Sequence, residues 1–255
     1  MQSIAEILAR ELEKPLAHVQ NVIDLLDEGN TIPFIARYRK ELHGSMDDTA
    51  LRTLEDRLNY LRNLAQRRQE VKNAIDGQGK LTDELSAAID SAATLAEVED
   101  LYRPYKQKRR TRATVAREKG LEPLALLLLD QGRDCPAPEE ADRDYVDPEK
   151  GVETLADALQ GANDIVAELL SDDAAIRKTL RELLRRQGRL RSLAATEEDT
   201  VYRLYYDFDQ PIAKLAGHQI LAINRGEKEG VLTVTVLLNR ELGLMTLRRA
   251  VVRPG

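Results

Sequence analysis

The chain has 255 residues, 42% of them hydrophobic and 32% charged, with a formal charge of -6 and an isoelectric point near 5.3. That length buries a real core as one large or two ordinary domains, while the acidic balance excludes a whole-domain polyanion binder and leaves nucleic acid only a local patch. The apolar run at 124–129 is far short of the roughly 20 residues a membrane span needs, the lone Cys135 permits no internal disulfide, and Met1–Ile4 lacks a signal-peptide pattern, so a cytoplasmic protein is expected.

No Trp and two Phe, against abundant Leu and Ala, read as a mainly α protein. The expected form is a multi-helix scaffold with an N-terminal helix-turn-helix-like cluster around 15–45 and a small C-terminal β-hairpin. Ser3 with Glu6 is a capping-box pair, opening a helix from Ile4 to about Glu13. Pro15 suits a first helical position, and a second helix turns Leu16, Val19, Val22, Ile23 and Leu26 inward and ends at Gly29. Thr31 caps a third, with Pro33 in its first turn, Phe34 and Ile35 packing, and Arg37, Arg39 and Lys40 projecting. Those cations suit phosphates or form a solvated face, since no Asn or Gln stands placed to read bases.

Leu51, Leu54, Leu58, Leu61, Leu64 and Val71 keep helical spacing, so a long helix is expected over 48–75, ended by Gly77 and Gly79. Asp76–Lys80 lacks the spacing of a phosphate loop and reads as a turn. Thr82 starts a short helix to about Ala92, and Thr94 with Glu97 opens another. That helix runs into the most unusual stretch of the chain. Between Arg103 and Lys119 stand eight Lys or Arg against one acid, Glu118, preceded by Tyr102, Pro104 and Tyr105. Pro104 and the long polar side chains argue against a helix through 106–111, so 102–119 reads as an exposed basic connector. Its Tyr102, Tyr105, Lys106, Lys108, Arg109, Arg110 and Arg112 pair flat rings with phosphate-seeking charge.

Pro123 begins a further helix, and the composition then reverses: 130–173 holds 14 acids against three bases, and 177–191 is basic again. Helices are expected at 152–159, 162–170 and 174–186, divided by Gly161 and by Ser171–Asp173. Arg177, Arg181 and Arg185 share one face, open to phosphates or to the acidic segment. Residues 189–195 read as strand or loop and 197–206 as helix. Tyr202, Tyr205, Tyr206 and Phe208 read as core, and Asp207 and Asp209 as helix caps rather than a cation site. Runs 219–224 and 231–238, joined by Arg225–Gly230, read as a hairpin. Domains are expected at 1–190 and 191–255.

Three segments carry a resemblance: Gly29–Glu41, Glu99–Pro123 with Tyr102-Arg103-Pro104-Tyr105-Lys106, and Asn224-Arg225-Gly226-Glu227-Lys228-Glu229-Gly230-Val231. In order and spacing they resemble the N-terminal part of the bacterial Tex family, transcription accessory proteins related to a eukaryotic Spt-type elongation factor. The resemblance implies a helical N-terminal region and part of a central region, truncated before the RNase H-like, helix-hairpin-helix and S1 domains of longer members. It implies a role in transcription or RNA metabolism, RNA or DNA as partner, and RNA polymerase or ribosome-associated machinery as further partners. Because the family's S1 domain is its main nucleic-acid binder, weak binding by this segment is implied.

Catalysis is not expected. His18, His43 and His218 stand in unrelated settings without metal spacing, and no Ser occupies a Gly-x-Ser-x-Gly elbow. No cofactor, metal or membrane is expected either. Two readings stay open: a scaffold that binds the phosphate backbone without sequence specificity, and a protein-interaction module whose basic stretch docks on the acidic 130–173 segment or on other domains.

Overall fold

Capping side chains stand where the helices begin. The computed structural model describes residues 3–131 and 145–253, so Cys135 and the acids of 132–144 lie outside the described residues. Ser3 Oγ accepts from the Glu6 amide at 3.2 Å and the Ser3 amide donates to the Glu6 carboxylate at 2.7 Å, opening α1 (Ile4–Glu11). α2 (Leu16–Asp27) and α3 (Ile32–Tyr38) follow, joined by a turn in which the Asn30 side chain donates to the Leu25 carbonyl. α4 (Asp48–Asp76) is capped by Asp47, α5 (Asp83–Ser91) by Thr82, and Thr94 accepts from Glu97 ahead of α6 (Leu95–Tyr102).

These helices form one compact unit, residues 1–102. Its core joins Leu8, Val19, Val22, Ile23, Ile32 and Ile35 to Leu51, Leu54, Leu58 and Leu61 of α4. Charge ties the short helices to the long one: Arg57 grips Glu11 at 2.6 and 2.8 Å, and Arg62 grips Asp27 at 2.7 Å through both oxygens. α3 buries only Ile32 and Ile35. Phe34, expected to pack, is 36% exposed, because the 3.6-residue turn puts it opposite Ile32 and Ile35.

The second unit spans 103–255, so the boundary falls inside the basic stretch, whereas the change in residue pattern falls near 190. A single 3-10 turn, Arg103–Tyr105, leads into an irregular 106–111, then α7 (Arg112–Glu118) and α8 (Glu122–Asp130). α9 (Leu155–Asp172) runs unbroken through Gly161, correcting the division expected there. A Cβ at Gly161 would stand 2.3 Å from Leu121 Cδ1 and 3.3 Å from Ala116 Cβ, so this glycine lets α7 and α8 close on α9 rather than ending a helix. Asp173 caps α10 (Ala174–Gln187).

The β element is a three-stranded antiparallel sheet of β1 (Arg189–Ala194), β2 (Asp207–Pro211) and β3 (Leu232–Leu237), ordered β2-β1-β3. It replaces the expected hairpin: residues 219–224 lie in α11 (Gly217–Lys228), and β3 pairs with β1, Ala194 opposite Leu232. Residues 197–206, expected helical, hold only the 3-10 turn Arg203–Tyr205, with Tyr206 Oη donating to the Glu198 carbonyl at 2.5 Å. Asp207 and Asp209 cap no helix; they sit on β2, where Asp209 accepts from Arg189 at 2.7 Å. Tyr202 and Phe208 are core, as read. α12 (Arg240–Val251) follows. No helix among the described residues is long and apolar enough to cross a membrane.

Candidate nucleic-acid interface

The motif Asn224–Val231 is a packing device. Gly226 is buried on α11, and a Cβ there would meet Leu232 Cδ1 at 2.6 Å and Tyr202 Cγ at 3.1 Å. The glycine lets α11 lie against β3 and the Tyr202 ring.

On α3 the candidate residues stand in the open. Arg37 and Lys40 are exposed and Arg39 half-buried. The Phe34 and Tyr38 rings lie one turn apart with centroids at 5.2 Å, Arg39 is 5.2 Å from the Phe34 centroid, and Arg37 is 6.0 Å from that of Tyr38. Among the described residues no carboxylate pairs with Arg37, Arg39 or Lys40. Sequence reasoning missed the rings; the four-residue spacing of Phe34 and Tyr38, against buried Ile32 and Ile35, was the available signal.

The connector is split. Tyr102 is half-buried, with the Arg67 guanidinium 5.6 Å from its ring centroid, and Tyr105 is half-buried, so neither ring is a bare platform. Arg103 donates to Asp172 at 2.8 Å. Lys108 contacts Asp172 and lies 3.5 Å from Glu168. Arg117 donates to Glu168 at 2.6 Å, and Thr111 donates to the other Glu168 oxygen at 3.1 Å. Both acids belong to the last two turns of α9, spaced four residues apart on one face. Burial pushes the Glu168 carboxyl up, but the bonds from Arg117 and Thr111 and the charge of Lys108 outweigh it and hold the group below the ordinary value. The expectation of a cationic connector held wholly out in water is therefore corrected: Arg103, Lys108 and Arg117 fold onto carboxylates, as the docking alternative requires.

Of the remaining cations, Lys119 is half-buried and donates to the Gly151 carbonyl at 2.6 Å, and the other four are exposed. Lys106 and Arg109 are exposed, and Arg109 has no ion pair among the described residues. Arg110 pairs with Glu118 at 2.7 Å while 70% of its side chain stays exposed, and the Arg112 side chain, 85% exposed, comes no nearer than 3.4 Å to Asp164. Arg110, Arg112 and Lys119 border an open cleft of about 570 Å³ between α7 and α9 that Asp157 and Asp164 also line. Two-sided charge suits a phosphodiester less well than an exposed cation such as Arg109.

The His18 ring packs on Gly44, where a Cβ would meet His18 Nδ1 at 2.1 Å. His43 is 1% exposed and neither of its ring nitrogens has a hydrogen-bond partner among the described residues. The described residues contain no group of three or more metal-ligating side chains.

Two family models match the chain, the Tex-like protein N-terminal domain over residues 2–76 and the Tex central region-like model over 134–247. Among its relatives is the protein YdcI of Bacillus subtilis, 48% identical over 233 residues, covering 90% of this chain and 32% of the relative. The transcriptional accessory protein Tex of Neisseria gonorrhoeae is 40% identical over 238 residues, 92% of this chain and 31% of the relative. The human S1 RNA-binding domain-containing protein 1 is 35% identical over 227 residues, 85% and 22% respectively. The chain thus spans about a third of the bacterial relatives and less of the human one.

Proposed function

The chain belongs to the Tex family, and from that premise we propose that it is the helical scaffold of a cytoplasmic transcription accessory factor, without catalysis of its own, which holds the phosphate backbone of RNA or DNA without reading sequence. The observation that carries this reading is the solvent-facing set Arg109, Arg110 and Arg112 in a chain of net charge -6, with Arg37, Arg39 and Lys40 a separate group on the first unit. Exposed guanidinium groups can exchange counterions for phosphate, Arg109 with no competing acid among the described residues, and Arg110 and Arg112 against only Glu118 and Asp164. The printed names of the relatives, one a transcriptional accessory protein and one an S1 RNA-binding domain-containing protein, support the same direction. RNA polymerase or ribosome-associated machinery fits the same role as a partner.

The test is an anisotropy titration of labelled RNA and DNA at two salt concentrations, with wild type and an R109E/R110E/R112E variant. Loss of three phosphate contacts should lower the slope of log affinity against log salt by about 2 to 3. Equal affinity for the two proteins at low salt would sink the reading. A second reading, a protein-interaction module, is favoured by one observation: Arg103, Lys108 and Arg117 are already committed to Glu168 and Asp172. It predicts no nucleic-acid binding by either protein.

A further inference from the structure

We propose that the outer face of α3 is a stacking platform for unpaired bases, so that the nucleic acid it takes is single-stranded. This deepens the proposed function and rests on it. Four features converge on that face. Phe34 and Tyr38 are 36% and 56% exposed, although apolar rings are normally withdrawn from water. Their centroids are 5.2 Å apart and the planes are tilted by 48°, so the rings offer separate faces rather than one closed stack. Arg39 lies over the Phe34 ring and Arg37 over the Tyr38 ring, 5.2 and 6.0 Å from the centroids, and the exposed Lys40 extends the charge past the helix end. No carboxylate neutralises the three cations among the described residues, in contrast to the connector.

The chemistry selects the ligand. Rings recognise the π-face of a base, which every base has and a duplex hides, while the cations take the backbone between. Duplex readout through the major groove requires Asn, Gln or Arg aimed at base edges from a helix that fits the groove. α3 has no Asn or Gln, its arginines lie along aromatic rings, and it is seven residues long. The outer face of α3 is therefore built for stacking.

The experiment compares wild type with F34A/Y38A and with F34Y/Y38F, using a labelled short oligouridine and a labelled duplex of matching length. Neither ring belongs to the buried core, so the alanine variant should stay folded with at most a modest fall in unfolding temperature, and circular dichroism checks this. F34A/Y38A should bind the oligouridine roughly 30-fold or more weakly, with the salt slope and duplex affinity unchanged. The ring-preserving F34Y/Y38F should bind as wild type does. If wild type binds the oligouridine and F34A/Y38A binds it equally, the platform is overturned while the proposed function stands, and the face is left to a protein partner. Binding of neither probe by wild type overturns both.

Discussion

Arg117 of α7 donates to Glu168 of α9 at 2.6 Å, and that bond seats the second half of the basic stretch on the helix whose acids oppose it. Glu168 also receives Thr111 and faces Lys108, so one carboxylate, its side chain 14% exposed, satisfies three groups from 108–117. A buried acceptor shared this way is expensive to remove, because its donors lose their partner without regaining water.

Replacing Glu168 with Gln should therefore destabilise the protein by about 1–3 kcal/mol at neutral pH. The pH dependence has a definite sign. The folded carboxyl is held below its ordinary value of 4.5, so its contribution is complete above that value and disappears as pH falls through the folded one. Urea unfolding of wild type and E168Q should converge on acidification; a gap that stayed constant down to strongly acidic pH would contradict the assignment.

Lys108 and Arg109 are adjacent and should behave oppositely. K108Q removes a cation that lies against Asp172 and Glu168, and should cost about 1 kcal/mol of stability with little change in nucleic-acid affinity. R109Q should leave the unfolding midpoint in place and weaken binding, most at low salt. Paired melting and anisotropy measurements check both, and identical behaviour would show that the connector is not divided as described.

Gly226→Ala sets two effects against each other. Helix propensity favours Ala by about 1 kcal/mol, but the new Cβ would stand 2.6 Å from Leu232 Cδ1 and 3.1 Å from Tyr202 Cγ, both on buried side chains, and overpacking costs about 1–3 kcal/mol. Net destabilisation is expected. Gly217, with nothing within 4 Å, is the control: G217A should be neutral or slightly stabilising in the same denaturant titration.

Much of the first unit was legible because its signals are local. Ser3, Thr82 and Thr94 cap where their hydroxyls can reach an amide three residues on, and six apolar residues of α4 repeat at helical spacing. Residues 219–224 misled, since Ile220, Leu221 and Ile223 in so short a run fit either a strand or a buried helix face. Gly161 misled for a related reason: a glycine that ends a helix and one that admits a neighbouring helix are the same letter. At the candidate site, the cations of 103–119 could be counted but not sorted, because the acids that claim three of them lie some 50 to 70 residues further on.

The order of amino acids by itself determined the helical class, most helix starts and the reversal of charge along the chain, since capping bonds and apolar periodicity act over three or four residues. Only the folded arrangement decided that β3 pairs with β1, that Gly226 is a contact point, and that Arg109 and Arg112 keep to water while Lys108 and Arg117 do not. Strand pairing, close approach and ion pairing each depend on which distant surfaces burial brings together, and no local pattern encodes that distance.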